Sequence, residues 1–523
     1  MEEAGRSRPH WLGAVIRDPG RADNWGSDHL GPRAKKAVVW ALLDRWATRT
    51  ITTVVIVILA RLLTPHEFGI VALALVVRYF LGVFIDQGFS EAIVQTPELN
   101  RRHANTAFWT AMATGSVLTL GLILLAPFIA RDLLGNESVV PILRVVAISL
   151  VLTALSSTQS ALLQRDLAFR ELALRRVIAE VVAGIVAVIA AFLGAGAWSL
   201  VLQAILQGGI GTVILWHYSR WRPRFEFDAV IFRSMAAFGA SMVGIDILYV
   251  LQQQADNFLV GRSLGAAALG VYALAFRFYF VIVDITTSSV SRVALATFSR
   301  IQVDLPTTRR VFLSATRLTT LIALPVFAGM GVVAPEMIFV IVGDKWAASV
   351  PVLRALCPSG LILCLSYLDR SLIVARGRPR TALTVEAFGV ALRLIGYVIG
   401  VQFGVVGVAV GLSATSIIYW PCRIMVVRSL TGLSLSKYAR QFGSAVVGTG
   451  LMVVALFLVR SVLSGDIDEW SLLSLEVLVG LAAYGIPLVL LDRASVNELV
   501  GLVRSVVWSE KSRSSRHGGS SRT

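Results

Sequence analysis

Apolar stretches of about twenty residues recur along the whole chain, each long enough to cross the ~30 Å hydrocarbon core of a bilayer as a helix. They fall at about 37–62, 67–89, 105–130, 141–164, 173–194 and 197–217, and again at about 235–260, 267–292, 311–341, 350–375, 381–403 and 405–425. Two more follow at about 441–460 and 471–492. Inside hydrocarbon every backbone N–H and C=O needs an internal partner, so runs of this length read as helices. The expected fold is all-α: an integral membrane protein of about fourteen transmembrane helices. Composition agrees, because 15% of the 523 residues are charged against about 25% in soluble domains. Cys357, Cys364 and Cys422 lie within apolar stretches and read as small core residues.

Charge sets the expected orientation. A net charge of +16 would point to nucleic acid in a soluble chain. Cytoplasmic loops of membrane proteins collect Lys and Arg, however, so no nucleic-acid partner is expected. With both termini in the cytoplasm, 34 of the 48 Lys and Arg fall in the tails and inside loops. Five (Arg61, Arg131, Arg262, Lys345 and Arg460) fall outside. One helix more or fewer would scramble that alternation. The first 36 residues are polar and lack the apolar core of a signal peptide, so the first apolar segment is expected to remain as a helix.

The sequence also repeats itself. Arg61-Leu62-Leu63 through Gly69-Ile70-Val71-Ala72-Leu73-Ala74 returns as Arg262-Ser263-Leu264 through Gly270-Val271-Tyr272-Ala273-Leu274-Ala275, an offset of 201. Pro141-Ile142-Leu143-Arg144 returns as Pro351-Val352-Leu353-Arg354, an offset of 210. Six helices separate the copies, so both keep one orientation, as in transporters whose site lies near the midplane between two repeats. The expected organisation is a polar cytoplasmic tail (1–36) and a first lobe of helices 1–6 with the inter-lobe loop (37–233). A pseudo-symmetric second lobe of helices 7–12 (234–430), helices 13–14 (431–492) and a disordered basic tail (493–523) follow.

Ionisable groups at mid-bilayer cost about 2.5–3.5 kcal/mol each on insertion scales, yet this chain places many there. The first helix holds Asp44, Arg45 and Arg49; the second holds Arg78, with Asp86 nearer its cytoplasmic end. Asp246 and Asp256 flank Gln252-Gln253-Gln254 on the seventh. Arg277 is mid-depth on the eighth, with Asp284 seven residues on and on the same face. Arg45 and Arg49 are like charges at i,i+4, destabilising by themselves. Asp44 would relieve one and a bound polyanion both, since a guanidinium suits bidentate phosphate contact. Arg45, Arg49, Arg78 and Arg277 are therefore the candidate anion-binding residues. Asp44, Asp86, Asp246, Asp256 and Asp284 are candidates for cation coupling or charge pairing. The competing reading pairs Arg277 with Asp284 and Arg78 with Asp86 simply to hold helices together. No P-loop, HExxH or Cys/His metal spacing occurs in the sequence, so a transporter without cofactor or metal is expected rather than an enzyme.

Particular segments resemble a known family. Ala60-Arg61-Leu62-Leu63-Thr64-Pro65-His66-Glu67-Phe68-Gly69 and Asp86-Gln87-Gly88-Phe89-Ser90-Glu91-Ala92-Ile93-Val94-Gln95 are similar to the start of Wzx-type polysaccharide-biosynthesis flippases. These belong to the multidrug/oligosaccharidyl-lipid/polysaccharide (MOP) exporter superfamily. Ala255-Asp256-Asn257-Phe258-Leu259-Val260-Gly261-Arg262, Leu269-Gly270-Val271-Tyr272-Ala273 and Ala334-Pro335-Glu336 extend the likeness, which runs from about 37 to 430. The resemblance implies a MATE-like fold of two lobes around a cavity. It also implies alternating-access movement of a polyprenyl-pyrophosphate-linked oligosaccharide to the outer leaflet of the bacterial cytoplasmic membrane. The product would be O-antigen, capsule or exopolysaccharide, and the partners membrane lipids and polysaccharide polymerase machinery. In relatives that flip the peptidoglycan precursor, arginines on the first, second and eighth helices hold the pyrophosphate. Arg45, Arg49, Arg78 and Arg277 match these by helix and depth only. Two rivals are a cation-coupled multidrug antiporter, which an arginine-rich cavity disfavours, and a polysaccharide polymerase or ligase. The latter normally needs a sizeable external loop, and the longest outside segment expected here has about ten residues.

Overall fold

A computed structural model describes residues 27–96, 99–300, 304–463 and 468–493. Among these the regular structure is helical, without a strand. The first half holds α1 (Ser27–Leu62), α2 (Pro65–Asp86), a short α3 (Phe89–Gln95), α4 (Arg101–Phe128), α5 (Val140–Arg165), α6 (Phe169–Phe192) and α7 (Ala197–Tyr218). There follow α8 (Ala229–Arg300), α9 (Leu305–Val332), α10 (Ala334–Val342), α11 (Ser349–Ala375), α12 (Pro379–Gly400) and α13 (Gly404–Thr431). A short α14 (Leu435–Ala439), α15 (Gly443–Leu463) and α16 (Glu469–Leu491) end the described chain. Among the described residues ten stretches are long and apolar enough to cross a membrane, which makes this a multi-pass membrane protein. Two of them contain a pair of helices: Met242–Thr287 within α8 and Pro379–Thr431 across α12 and α13. At 36 and 24 residues, α1 and α6 are also long enough, but both carry charges along their length.

Local chemistry explains the breaks. Thr64 opens α2 with a capping box: its Oγ1 accepts from the Glu67 amide and the Glu67 carboxylate accepts from Thr64 N at 2.7 Å, with Pro65 in the first turn. The segments expected at 235–260 and 267–292 have no loop between them. They are the two arms of α8, broken only at Gly265, whose φ of 86° a glycine adopts without strain. The expected single helix over 311–341 is divided into α9 and α10 where Ala334-Pro335 restarts the helix, because proline lacks the N–H that continuation requires. The first helix begins at Ser27, ahead of the apolar run that located it. The tail segments 1–26 and 494–523 lie outside the described residues.

Outward faces carry large apolar side chains, among them Leu120, Leu124, Ile185, Phe192, Ile395, Ile418, Leu478 and Leu481. Surroundings of hydrocarbon account for such a surface. Inward, α1 packs on α6, α6 on α7, and α5 on both α4 and α7; α11 packs on α9 and α13, and α13 on α12. The two groups meet chiefly where α2 and α11 lie against α8, while α15 and α16 pack together and lean on α9 and α10.

The repeat reappears at that meeting as reciprocal contacts. Gly69 on α2 backs onto the carbonyl of Ala266, and Gly270, its mate at the 201 offset, backs onto the carbonyl of Pro65, the mate of Ala266. At the end that the charge pattern assigns to the outside, Arg61 Nε donates to Ile341 O at 2.8 Å and its Nη2 to Val340 O. Lys345 Nζ donates to Arg61 O at 2.6 Å, and Trp346 Nε1 to Ala60 O at 2.8 Å. Arg262, the mate of Arg61, packs on Gly135, which is the counterpart of Lys345 at the second offset. Contacts in which position i meets j′ and j meets i′ are what two like copies facing each other make.

No side chain fits between Gly69 and Ala266. Gly69→Ala is expected to lower stability by about 1–3 kcal/mol, the usual cost of overpacking, and Gly270→Ala similarly. Thermal unfolding in detergent measures this; Gly82→Ala, which meets open space, serves as the control.

Candidate functional site

Arg45 and Arg49 lie one turn apart on α1 and face the second arm of α8. There Asp284 pairs with Arg45 and stands 3.9 Å from Arg49 Nε. The Arg49 guanidinium also covers the Phe280 ring, 5.4 Å from its centroid. One turn nearer Gly265, Arg277 shares this face and feels the charge of Arg49 directly. Arg49 Nε and Nη2 and Arg277 Nε are buried without a hydrogen-bond partner. Two guanidiniums thus share the Asp284 carboxylate, while a third, that of Arg277, stands by Arg49 with the Glu180 carboxylate of α6 as its acidic neighbour. An excess of buried cation with unused donors is costly, and it is the arrangement that a multivalent anion would satisfy.

Arg78 is held at the margin. Its Nε donates to Ser149 Oγ at 2.8 Å and its guanidinium stands 5.3 Å from the neighbouring Tyr79 ring, which in turn acts on Arg277. Neither helix-holding pair considered from the sequence forms. Asp284 is taken by the α1 arginines, and Asp86 bonds to Ser90 Oγ at 2.6 Å. Nor does Asp44 relieve Arg45: it pairs with Arg176 on α6 at 2.8 Å. Arg176 stands two turns inside α6, which begins at Phe169, ahead of the apolar stretch expected from about 173. Asp246 is exposed on the first arm of α8, with the like charge of Glu91 as its neighbour. Asp256 is buried, accepting from Tyr272 Oη at 2.8 Å and from the Asn257 amide.

Several buried charges of the structure were not legible as pairs in the sequence. Glu180 on α6 accepts from Thr52 Oγ1 at 2.6 Å and from Gln207, which ties α1 to α6 and α7 behind Arg49. Arg423 on α13 pairs with Asp369 and Glu386, and Arg460 on α15 with Glu336. Among the described residues no group of three or more His, Cys, Asp or Glu is placed to hold a metal ion.

Residues 58–351, more than half of the chain, match the family described as polysaccharide biosynthesis protein. The chain belongs to that family. Succinoglycan biosynthesis transport protein ExoT of Rhizobium meliloti (strain 1021) is 30% identical over 326 residues, 62% of this chain and 66% of that protein. That match spans just under two thirds of the relative's length. Lipopolysaccharide biosynthesis protein WzxC of Escherichia coli (strain K12) is 25% identical over 385 residues, 73% of this chain and 78% of that protein. Lipid II flippase MurJ in an inward closed conformation superposes with a TM-score of 0.72 at 15% identity, over 88% of this chain and 100% of that one. At that identity the likeness establishes a shared fold. The resemblance read from Ala60 to Gly69 and from Asp86 to Gln95 is borne out.

Proposed function

We propose that this protein moves a polyprenyl-pyrophosphate-linked oligosaccharide from the cytoplasmic to the outer leaflet of the bacterial cytoplasmic membrane, for assembly of a surface polysaccharide. The observation that carries the reading is the pair Arg49 and Arg277, whose buried guanidinium donors are left over beside the Arg45–Asp284 ion pair. A pyrophosphate common to every such donor would take those donors whatever the glycan. Arg78, adjoining through Tyr79, is assigned to the same cavity. The names of ExoT, WzxC and MurJ are consistent with a lipid-linked sugar as cargo.

Each paired stretch counted twice, together with α1 and α6, makes fourteen crossings arranged as two lobes and a C-terminal pair, with both termini cytoplasmic. In this arrangement the Arg61–Lys345–Trp346 clasp closes the outer end of the bundle, and the cavity is reached from the cytoplasm. Alternating access then requires that clasp to part, and the polyprenyl chain stays in the bilayer between the lobes. Polymerase machinery would receive the flipped product. Reporter fusions after residues 100, 225 and 378 are expected to report cytoplasm, and fusions near 135 and 345 the outside. A deletion strain is expected to lack one surface polysaccharide and to accumulate its lipid-linked precursor, seen by mass spectrometry of extracted lipids. Unaltered surface glycans with export of cationic dyes lost instead would favour a multidrug antiporter.

A further inference from the structure

Glu476 lies seven residues into α16, about 10 Å along the helix from its start at 1.5 Å per residue. Its side chain is fully buried, and neither carboxylate oxygen has a hydrogen-bond partner. The charged groups facing it from the two helices packed on α16 are Glu336 of α10 and Arg460 of α15. Arg460 is already committed: its Nη2 meets Glu336 Oε1 at 3.0 Å and its Nη1 donates to Val332 O at 3.3 Å. Glu336 Oε2 is left buried and without a donor. Two carboxylates therefore share one guanidinium, and three oxygens lack hydrogen-bond donors.

A carboxylate buried with nothing donating to it is not sustained in the charged form at such a site. One proton removes the difficulty. Placed on Glu476, it removes the second negative charge facing Arg460, and the cluster passes from a charge of −1 to zero. We infer that Glu476, with Glu336 and Arg460, forms a proton-binding site between α10, α15 and α16, and that its occupancy governs the seating of α10. The connection is short. Glu336 stands in the first turn of α10, and the carbonyls of Val340 and Ile341 near the other end of that nine-residue helix are held by Arg61. Proton loss restores a repulsive pair at one end of α10 and so loosens the Arg61 clasp at the other. This inference rests on the clasp geometry and not on the nature of the cargo.

The test uses the purified full-length protein in lipid nanodiscs. Infrared spectroscopy reads the C=O stretch of a protonated carboxyl, and Lys345→Cys, in a background where the native cysteines are replaced, reads clasp opening by reaction with a membrane-impermeant maleimide. The native sequence is expected to show the protonated band at neutral pH and to label faster as pH rises. The expected change is on the order of 5–150-fold, the range of ordinary coupling energies. Glu476→Gln should lose the band and label slowly at every pH. Glu336→Gln frees Arg460 to pair with Glu476 and takes from α10 the Arg460 bridge that seats it, so it should also lose the band but label fast throughout. Opposite effects of two conservative variants separate a proton switch from plain destabilisation, and the second variant serves if the first fails to fold. A band unchanged by Glu476→Gln, labelling independent of pH, or labelling that follows sodium at fixed pH overturns the inference.

Discussion

Arg277→Ala and Arg49→Ala are each expected to cut glycan export about 10- to 150-fold while the protein inserts and accumulates normally. The size follows from one charge-assisted contact to phosphate, about 1.5–3 kcal/mol. The direction of the stability change is the sharper prediction. Arg277 makes no ion pair among the described residues, has a buried unpartnered Nε and lies beside Arg49. Removing either guanidinium relieves like-charge repulsion, so the unfolding temperature in detergent should hold or rise as transport falls. Loss of function with retained or improved stability is the signature of a group kept for binding. Arg→Lys variants should fall between, because an ammonium keeps the charge but loses the bidentate fork. Arg45→Ala should be milder in transport and harmful to stability, since it leaves Asp284 with the more distant Arg49. Normal export from both Arg277→Ala and Arg49→Ala, measured as the ratio of surface polysaccharide to lipid-linked precursor, would refute the assignment of the cavity.

The helix map was readable because hydrocarbon forces the backbone into long apolar helices, and length and hydropathy record that demand directly. The repeat was readable for a related reason. Gly69 and Gly270 recur because each must let another backbone carbonyl come close, and the need for closeness is written in the residue itself. The partners of buried charges were not readable. A helix shows which residues share a face but not which helix that face meets, so the sequence offers Asp44 one of its own-helix neighbours Arg45 and Arg49, whereas its partner is Arg176, 132 positions away. The boundary of α6 mattered as well, for hydropathy places polar first turns in loops. Glu476 escaped notice because a single acid in an apolar run looks no different from one facing lipid head groups. Only its packing against Glu336 and Arg460 distinguishes it.

Arg423 offers the opposite case to Arg277, and its replacement should do the largest damage to stability. It is 1% exposed within α13. Its Nε meets Asp369 Oδ2 at 3.3 Å, its Nη1 Glu386 Oε1 at 2.9 Å and its Nη2 Ser366 O at 2.7 Å, with the Tyr419 ring 5.5 Å away. Every nitrogen of the guanidinium is used, so three helices, α11, α12 and α13, are joined through one side chain. Arg423→Ala leaves Asp369, also 1% exposed, as a buried charge with its cation gone, and should cost about 3–5 kcal/mol. The expected readout is a large fall in unfolding temperature and in membrane accumulation, with transport per folded molecule little changed. Replacing the whole network at once, as Arg423→Met with Asp369→Asn and Glu386→Gln, should restore most of the loss, because buried ion pairs exchanged for neutral groups are often close to neutral. If Arg423→Ala instead proved stable but inactive, the network would belong to the transport cycle, and burial with full pairing would no longer separate structural charges from functional ones in this fold.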